Sequence, residues 1–291
     1  MRIDRGRFTA VAYPGDAPLA RALLADAASR DTFPGLPRPT RHVVLVIAPD
    51  ASRFRAWGGP GAPDWGSALA FPASGRVLMQ GRHAGSDAGD PRAVFRHELA
   101  HVALHEALDD LPPRWFDEGY AGYAAGEWGR DEVLAANVAL VTRGVPALDS
   151  LDALFDGGSA SAQDGYALAY RAVVDLAALD PERGLAGFFV AWRATGRFDA
   201  AVRAAYGMTA AQFESAWRAR TRRRYGALAI GANVSLVTAV GLVLFAPFWF
   251  ARRRRDRERL AAMRAADVAE DARAAERAAA ADPLAPFLDR S

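Results

Sequence analysis

The spacing of apolar positions divides the chain into a strand-bearing first part and a helical remainder. Residues Arg7 to Tyr13 alternate in character and stop at Pro14-Gly15, which predicts a strand; Ala17 to Ser29 carries Leu19, Leu23 and Leu24 on one side, which predicts a helix. After a Pro-rich loop over residues 31–40, the run His42 to Ala48 is the clearest strand and is expected at the centre of a sheet. Asp50 to Trp57 reads as a short helix with Asp50 placed to cap it. Ala68 to Pro72 and Arg76 to Gln80, separated by Ala73-Ser74-Gly75, predict a hairpin or a pair of short strands.

Beyond Gln80 the period is helical throughout. Asp90-Pro91 starts a helix that runs to about Leu108, Pro112-Pro113 breaks it, and another helix begins at Arg114. Further helices are expected over Asp131 to Thr142, Gln163 to Leu179, Pro181 to Thr195, Phe198 to Tyr206 and Thr209 to Arg224. Strands first and helices second is the order of an α+β domain, expected here over residues 1–225.

Composition narrows this picture in two ways. The chain of 291 residues is 51% hydrophobic, ample for a buried core, and it has no cysteine, so neither a disulfide framework nor a thiolate metal site is open to it. The net charge is only +2, and every basic side chain is an arginine, so overall charge points to no partner.

One stretch suggests a membrane. Ala227 to Phe250 is an uncharged apolar run of 24 residues interrupted only by Asn233, Ser235 and Thr238, and at ~1.5 Å per residue it could cross a hydrocarbon core of about 30 Å. It predicts a transmembrane helix over 226–250, a lipid bilayer as partner through residues 227–250 and a single-pass membrane location. A charged Ala/Arg-rich tail then occupies 251–291, as a solvated helix or a disordered segment. Arginines at 218–224 and 252–259 flank the run and are expected to face lipid headgroups; no nucleic acid is expected as a partner. The contiguous Arg252 to Arg255 block favours a cytoplasmic C-terminus and so an extracytoplasmic catalytic domain. Residues 1–12 hold three arginines and no apolar core, so no signal peptide is read in the chain as written.

The chemistry concentrates at His97-Glu98-Leu99-Ala100-His101. On a helix the two imidazoles lie four residues apart on one face, close enough to share a zinc ion, with Glu98 beside them. A catalytic zinc takes three protein ligands. His105 continues the same face but lies two turns from His97, about 12 Å along the axis, too far for both to reach one ion. The better third ligand is Glu118, 17 residues after His101 on the next helix, with Asp117 as its competitor. Glu98, next to the ligands but not one of them, is the expected general base for a water attacking a carbonyl.

Trp115-Phe116-Asp117-Glu118-Gly119 follows the pentapeptide as a W-x-x-E-G motif. Together the two motifs resemble those of the gluzincin zinc metallopeptidases, in particular the peptidase MA-like group. The resemblance implies a zincin-like fold, Zn2+ as cofactor, a peptide or protein substrate, and Glu118 over Asp117 as the third ligand. It also implies a Tyr or His from the helical half as an oxyanion donor, for which Tyr166 is the candidate and Tyr170 the fallback. The resulting expectation is a membrane-anchored zinc metallopeptidase with metal ligands His97, His101 and Glu118 and catalytic residues Glu98 and Tyr166. Its rivals are a catalytically silent zinc-binding or interaction domain of the same fold and a zinc hydrolase of a non-peptide amide.

Overall fold

In the computed structural model, residues 1–59, 66–84, 89–109, 112–126, 134 and 144–280 are described, with backbone alone for 226–245 and scattered later positions. The first part forms a five-stranded sheet in the order β1-β2-β3-β5-β4, from β1 (Arg2–Arg5), β2 (Phe8–Val11), β3 (Val43–Ala48), β4 (Ala68–Phe71) and β5 (Arg76–Gln80). The apolar run of β3 takes the central place, parallel to β2 on one side and to β5 on the other. β4 and β5 make the expected hairpin, antiparallel with Leu69 opposite Leu78. Its turn ends at Gly75, whose φ of 65° lies in the left-handed region that glycine adopts without a Cβ penalty. β1, charged and exposed, pairs antiparallel with β2 at the far edge.

Alternation along β3 sorts its side chains between two faces. Val43, Leu45 and Ile47 enter the main core with Phe8, Ala10, Val77 and Met79. Helix α1 (Ala17–Ser29) adds Leu23 and Leu24 there, and helix α3 (Pro91–Leu108) adds Leu99, Ala100, Ala103 and Leu104. The opposite face is covered by the short α2 (Ala51–Gly58) through Phe54, which packs with Ala48 and Leu78. Asp50 caps α2 by accepting the Arg53 N–H at 2.8 Å, and Asp90 caps α3 by accepting the Arg92 N–H at 3.1 Å, with Pro91 at the first helical position.

The helical half begins with α4 (Arg114–Ala125) and continues through the short α5 (Asp152–Phe155), α6 (Ser159–Ala177), α7 (Ala186–Thr195) and α8 (Phe198–Tyr206). Aromatic rings hold these helices together. The Phe116 ring lies 5.5 Å from Phe188 and 5.3 Å from Trp192, and the Trp115 ring meets Phe198 edge-on at 5.4 Å. The helix expected over Asp131 to Thr142 lies outside the described residues, Leu134 excepted.

Strands followed by helices is the α+β order expected, but the transmembrane helix is corrected. Among the described residues no helix is long and apolar enough to cross a membrane. With the span over 226–250 go the bilayer partner through 227–250, the single-pass membrane location and the extracytoplasmic placement that depended on it. The expectation treated the run as an element bounded by its flanking arginines, which the backbone does not show: it is helical from Ala210 to Ala280, a 71-residue helix, α9. The side chains of residues 226–245 themselves lie outside the described residues. By contact the chain divides into two compact units, Met1–Ile230 and Gly231–Ser291.

Two of the arginines expected to face lipid have protein partners instead. Arg218 Nε donates to the Val145 carbonyl at 2.9 Å, and Arg220 Nε to the buried Asp175 carboxylate at 2.9 Å, which Arg171 also pairs. They fasten the start of α9 to the helical half of the first unit.

Candidate metal centre

Two helices build the site. α3 buries Phe95, Leu99, Val102 and Leu104 in the core, and the four-residue spacing brings His97 and His101 to one side, their ring centroids 4.9 Å apart. α4 is anchored by Phe116 and Tyr120, both fully buried one turn apart. Glu118, midway between them in sequence, is turned about 200° from Phe116 at ~100° per residue. It therefore leaves the core and faces α3. Arg96 touches Ala124 while His105 touches Asp117, so the two helices run antiparallel.

This packing brings His97, His101 and Glu118 together. One donor atom from each can be chosen so that all lie within 4.8 Å of one another. Glu118 Oε2 is 3.4 Å from His97 Nε2 and 3.6 Å from His101 Nε2. Asp117 turns the other way, its Oδ1 2.7 Å from His101 Nδ1 and its Oδ2 2.9 Å from His105 Nε2. Thus the two neighbouring carboxylates divide the faces of His101, Glu118 on Nε2 and Asp117 on Nδ1. Burial works against charge on His101, but the Asp117 carboxylate and then Glu118 outweigh it and push the imidazole up to about 9. Asp117 is likewise opposed by burial, yet its contacts with His101 and His105 hold its carboxyl well below the usual range.

Glu98 is buried beside this cluster at 9% exposure. Burial raises its pKa, partly offset by the two imidazoles and by a hydrogen bond from the Ala70 N–H. Ala70 belongs to β4, the strand that ends the sheet on this side. Glu98 therefore stands between the imidazole pair and the sheet edge.

Gly119 shows why α6 can come so close. A Cβ built there would overlap the Ala169 carbonyl of α6 and stand 2.9 Å from Val173 Cγ2. Tyr166 lies on α6 three residues before Ala169, half-buried, with its ring 5.1 Å from that of Phe155. Tyr170, the residue after Ala169, is also half-buried.

Arg96 was not singled out from the sequence. Its guanidinium donates to three carbonyls, Ala124 at the end of α4 (2.9 Å) and Arg30 and Thr32 after α1 (2.7 Å each), while stacking over Phe33. It ties both ends of the site's framework to the residue preceding His97. An arginine next to a ligand was the sole signal for it, and that signal names no partner. The Ala70 N–H and the His105 contact depend on how elements cross, which spacing along one helix does not report.

A His-His-Glu cluster thus stands on two antiparallel helices beside the edge of a mixed sheet, arranged so that it could hold a metal ion. The donor set suits a divalent ion such as zinc: two imidazole nitrogens and a carboxylate oxygen, gathered without cysteine. A family model described as the Peptidase MA superfamily matches residues 61–222, more than half of the chain and inclusive of both helices. The chain belongs to the Peptidase MA superfamily, which suggests peptidase activity in general. No match to the chain is found among curated proteins.

Proposed function

We propose that the chain is a zinc-dependent metallopeptidase in which His97, His101 and Glu118 hold the metal and Glu98 is the general base. The observation that carries the reading is the convergence of three donor atoms within 4.8 Å with a buried carboxyl adjacent to them. Zinc bound there would act as a Lewis acid on a carbonyl oxygen and bring the pKa of water toward neutrality.

The chain's own groups supply the rest. Glu98, its carboxylate steadied by the Ala70 N–H, takes a proton from the attacking water and returns it to the leaving amine. Its burial raises its proton affinity, and that suits a group which must hold a proton between these two events. β4 ends the sheet on the side of Glu98, so an extended substrate can lie along it as an added strand, its scissile bond beside the base. The developing oxyanion calls for a donor, and Tyr166, with Tyr170 as fallback, fills that role in this reading. Support comes from α6, which is held against the residue following Glu118 by the Gly119–Ala169 contact.

The test is Glu98→Gln in the full chain, assayed against a peptide library beside zinc analysis. The reading expects unchanged zinc content with hydrolysis reduced by about 10²–10⁴-fold. A Glu98→Gln protein that cleaves peptides at the wild-type rate rules it out.

A further inference from the structure

His105 has no part in the proposed ligand set, yet it is built into the site. It stands one turn beyond His101 on α3, 14% exposed, and its Nε2 meets Asp117 Oδ2 at 2.9 Å. The other oxygen of the same carboxylate meets His101 Nδ1 at 2.7 Å. One side chain from α4 therefore bridges two imidazoles of α3.

The two contacts are physically coupled. A carboxylate held at one oxygen can still rotate about its last torsion and swing its acceptor lone pairs away; a donor at the second oxygen fixes the plane. With that plane fixed, Asp117 Oδ1 accepts the N–H of His101 Nδ1. In the neutral imidazole that binds a metal the remaining proton is then on Nδ1, which leaves Nε2, the nitrogen 3.6 Å from Glu118 Oε2, to offer the lone pair a metal needs. Asp117 and Glu118 are successive residues, so holding the first also restrains the backbone that presents the second.

We propose that His105 is a positioning residue which, through Asp117, fixes the tautomer and ring orientation of His101 and thereby sets the metal affinity of the site. This rests on reading His97, His101 and Glu118 as a metal centre. His105 touches neither the metal position nor the reacting atoms in this scheme.

The experiment is a zinc titration of the full-length protein against a chelating indicator, for wild type, His105→Ala, His105→Gln, Asp117→Ala and the His105→Ala/Asp117→Ala double variant. Loss of a group supporting a ligand typically weakens metal binding by 10–100-fold, and His105, one bond further out, is expected near the lower end, about tenfold. His105→Gln, whose amide N–H can still reach the carboxylate, should restore most of the affinity. The double variant should bind no more weakly than Asp117→Ala alone, because His105 acts only through that carboxylate; a merely structural role would add to it. Wild-type affinity in His105→Ala, failure of His105→Gln to recover binding, or a fully additive double variant would each overturn the proposal. Absence of tight zinc binding in the wild type would instead overturn the metal-centre reading, and this proposal with it.

Discussion

Replacing Gly119 by alanine sets two effects of opposite sign against each other. Helix propensity alone favours alanine by up to about 1 kcal/mol inside a helix. The structure puts a clash against that gain: the new Cβ overlaps the Ala169 carbonyl, and Val173 Cγ2 is only 2.9 Å away. A flexible side chain could retreat, but a backbone oxygen moves only with its helix, so α6 must slide from α4. Overpacking of this kind costs about 1–3 kcal/mol. The net expectation is destabilisation by up to about 2 kcal/mol, read as a lower midpoint in urea unfolding. Since Glu118 precedes Gly119, zinc binding should weaken as well. Gly187 in α7 is the control: its nearest neighbour to a new Cβ is Asp180 Oδ2 at 3.9 Å, so Gly187→Ala should be neutral or stabilising by up to about 1 kcal/mol. If Gly119→Ala raised the midpoint as Gly187→Ala does, the packing argument for the glycine of the W-x-x-E-G motif would be wrong.

Two further outcomes are expected. Arg96→Ala removes a charged donor from three carbonyls and should cost about 2–4 kcal/mol, given ~1.5–3 for a hydrogen bond to a charged group and incomplete additivity. Arg96→Lys should recover less than half, because one ammonium cannot span that fork; equal urea midpoints for Arg96→Lys and wild type would refute this. Glu106, on the last turn of α3, accepts the Thr40 N–H and hydroxyl and the Arg41 N–H. Partial burial pushes its carboxyl up, but these donors outweigh it and hold its pKa below the ordinary value. A depressed pKa contributes stability that is full above the unfolded value, about 4.3, and is lost as pH falls through the folded value. Glu106→Gln should therefore lose less stability than wild type between pH 6 and pH 3, and identical acid losses in urea unfolding would contradict it.

How much of this was legible depended on whether a feature lies along one element or between two. The strand His42 to Ala48 announced its central position by an apolar run, and the hairpin by Ser74-Gly75. β1 was missed because Arg2-Ile3-Asp4-Arg5 is a charged edge strand with little to bury. The pairing of β3 with β5 across an intervening strand could not be read from spacing, since parallel order is decided by what packs on the sheet. In the site, the His97–His101 face follows from helical period alone. The division of labour between Asp117 and Glu118 needed the antiparallel crossing of α3 and α4, as did the partner of His105. The apolar stretch after Ala227 reads in sequence as an element of its own, because spacing does not report that the backbone helix runs unbroken from Ala210 to Ala280.

The most direct test of the account is zinc analysis of the purified full-length protein beside His97→Ala and Glu118→Ala. One zinc ion per chain in wild type, lost or greatly weakened in both variants while each remains folded, is the result predicted. Zinc retained at full stoichiometry by both variants would contradict it.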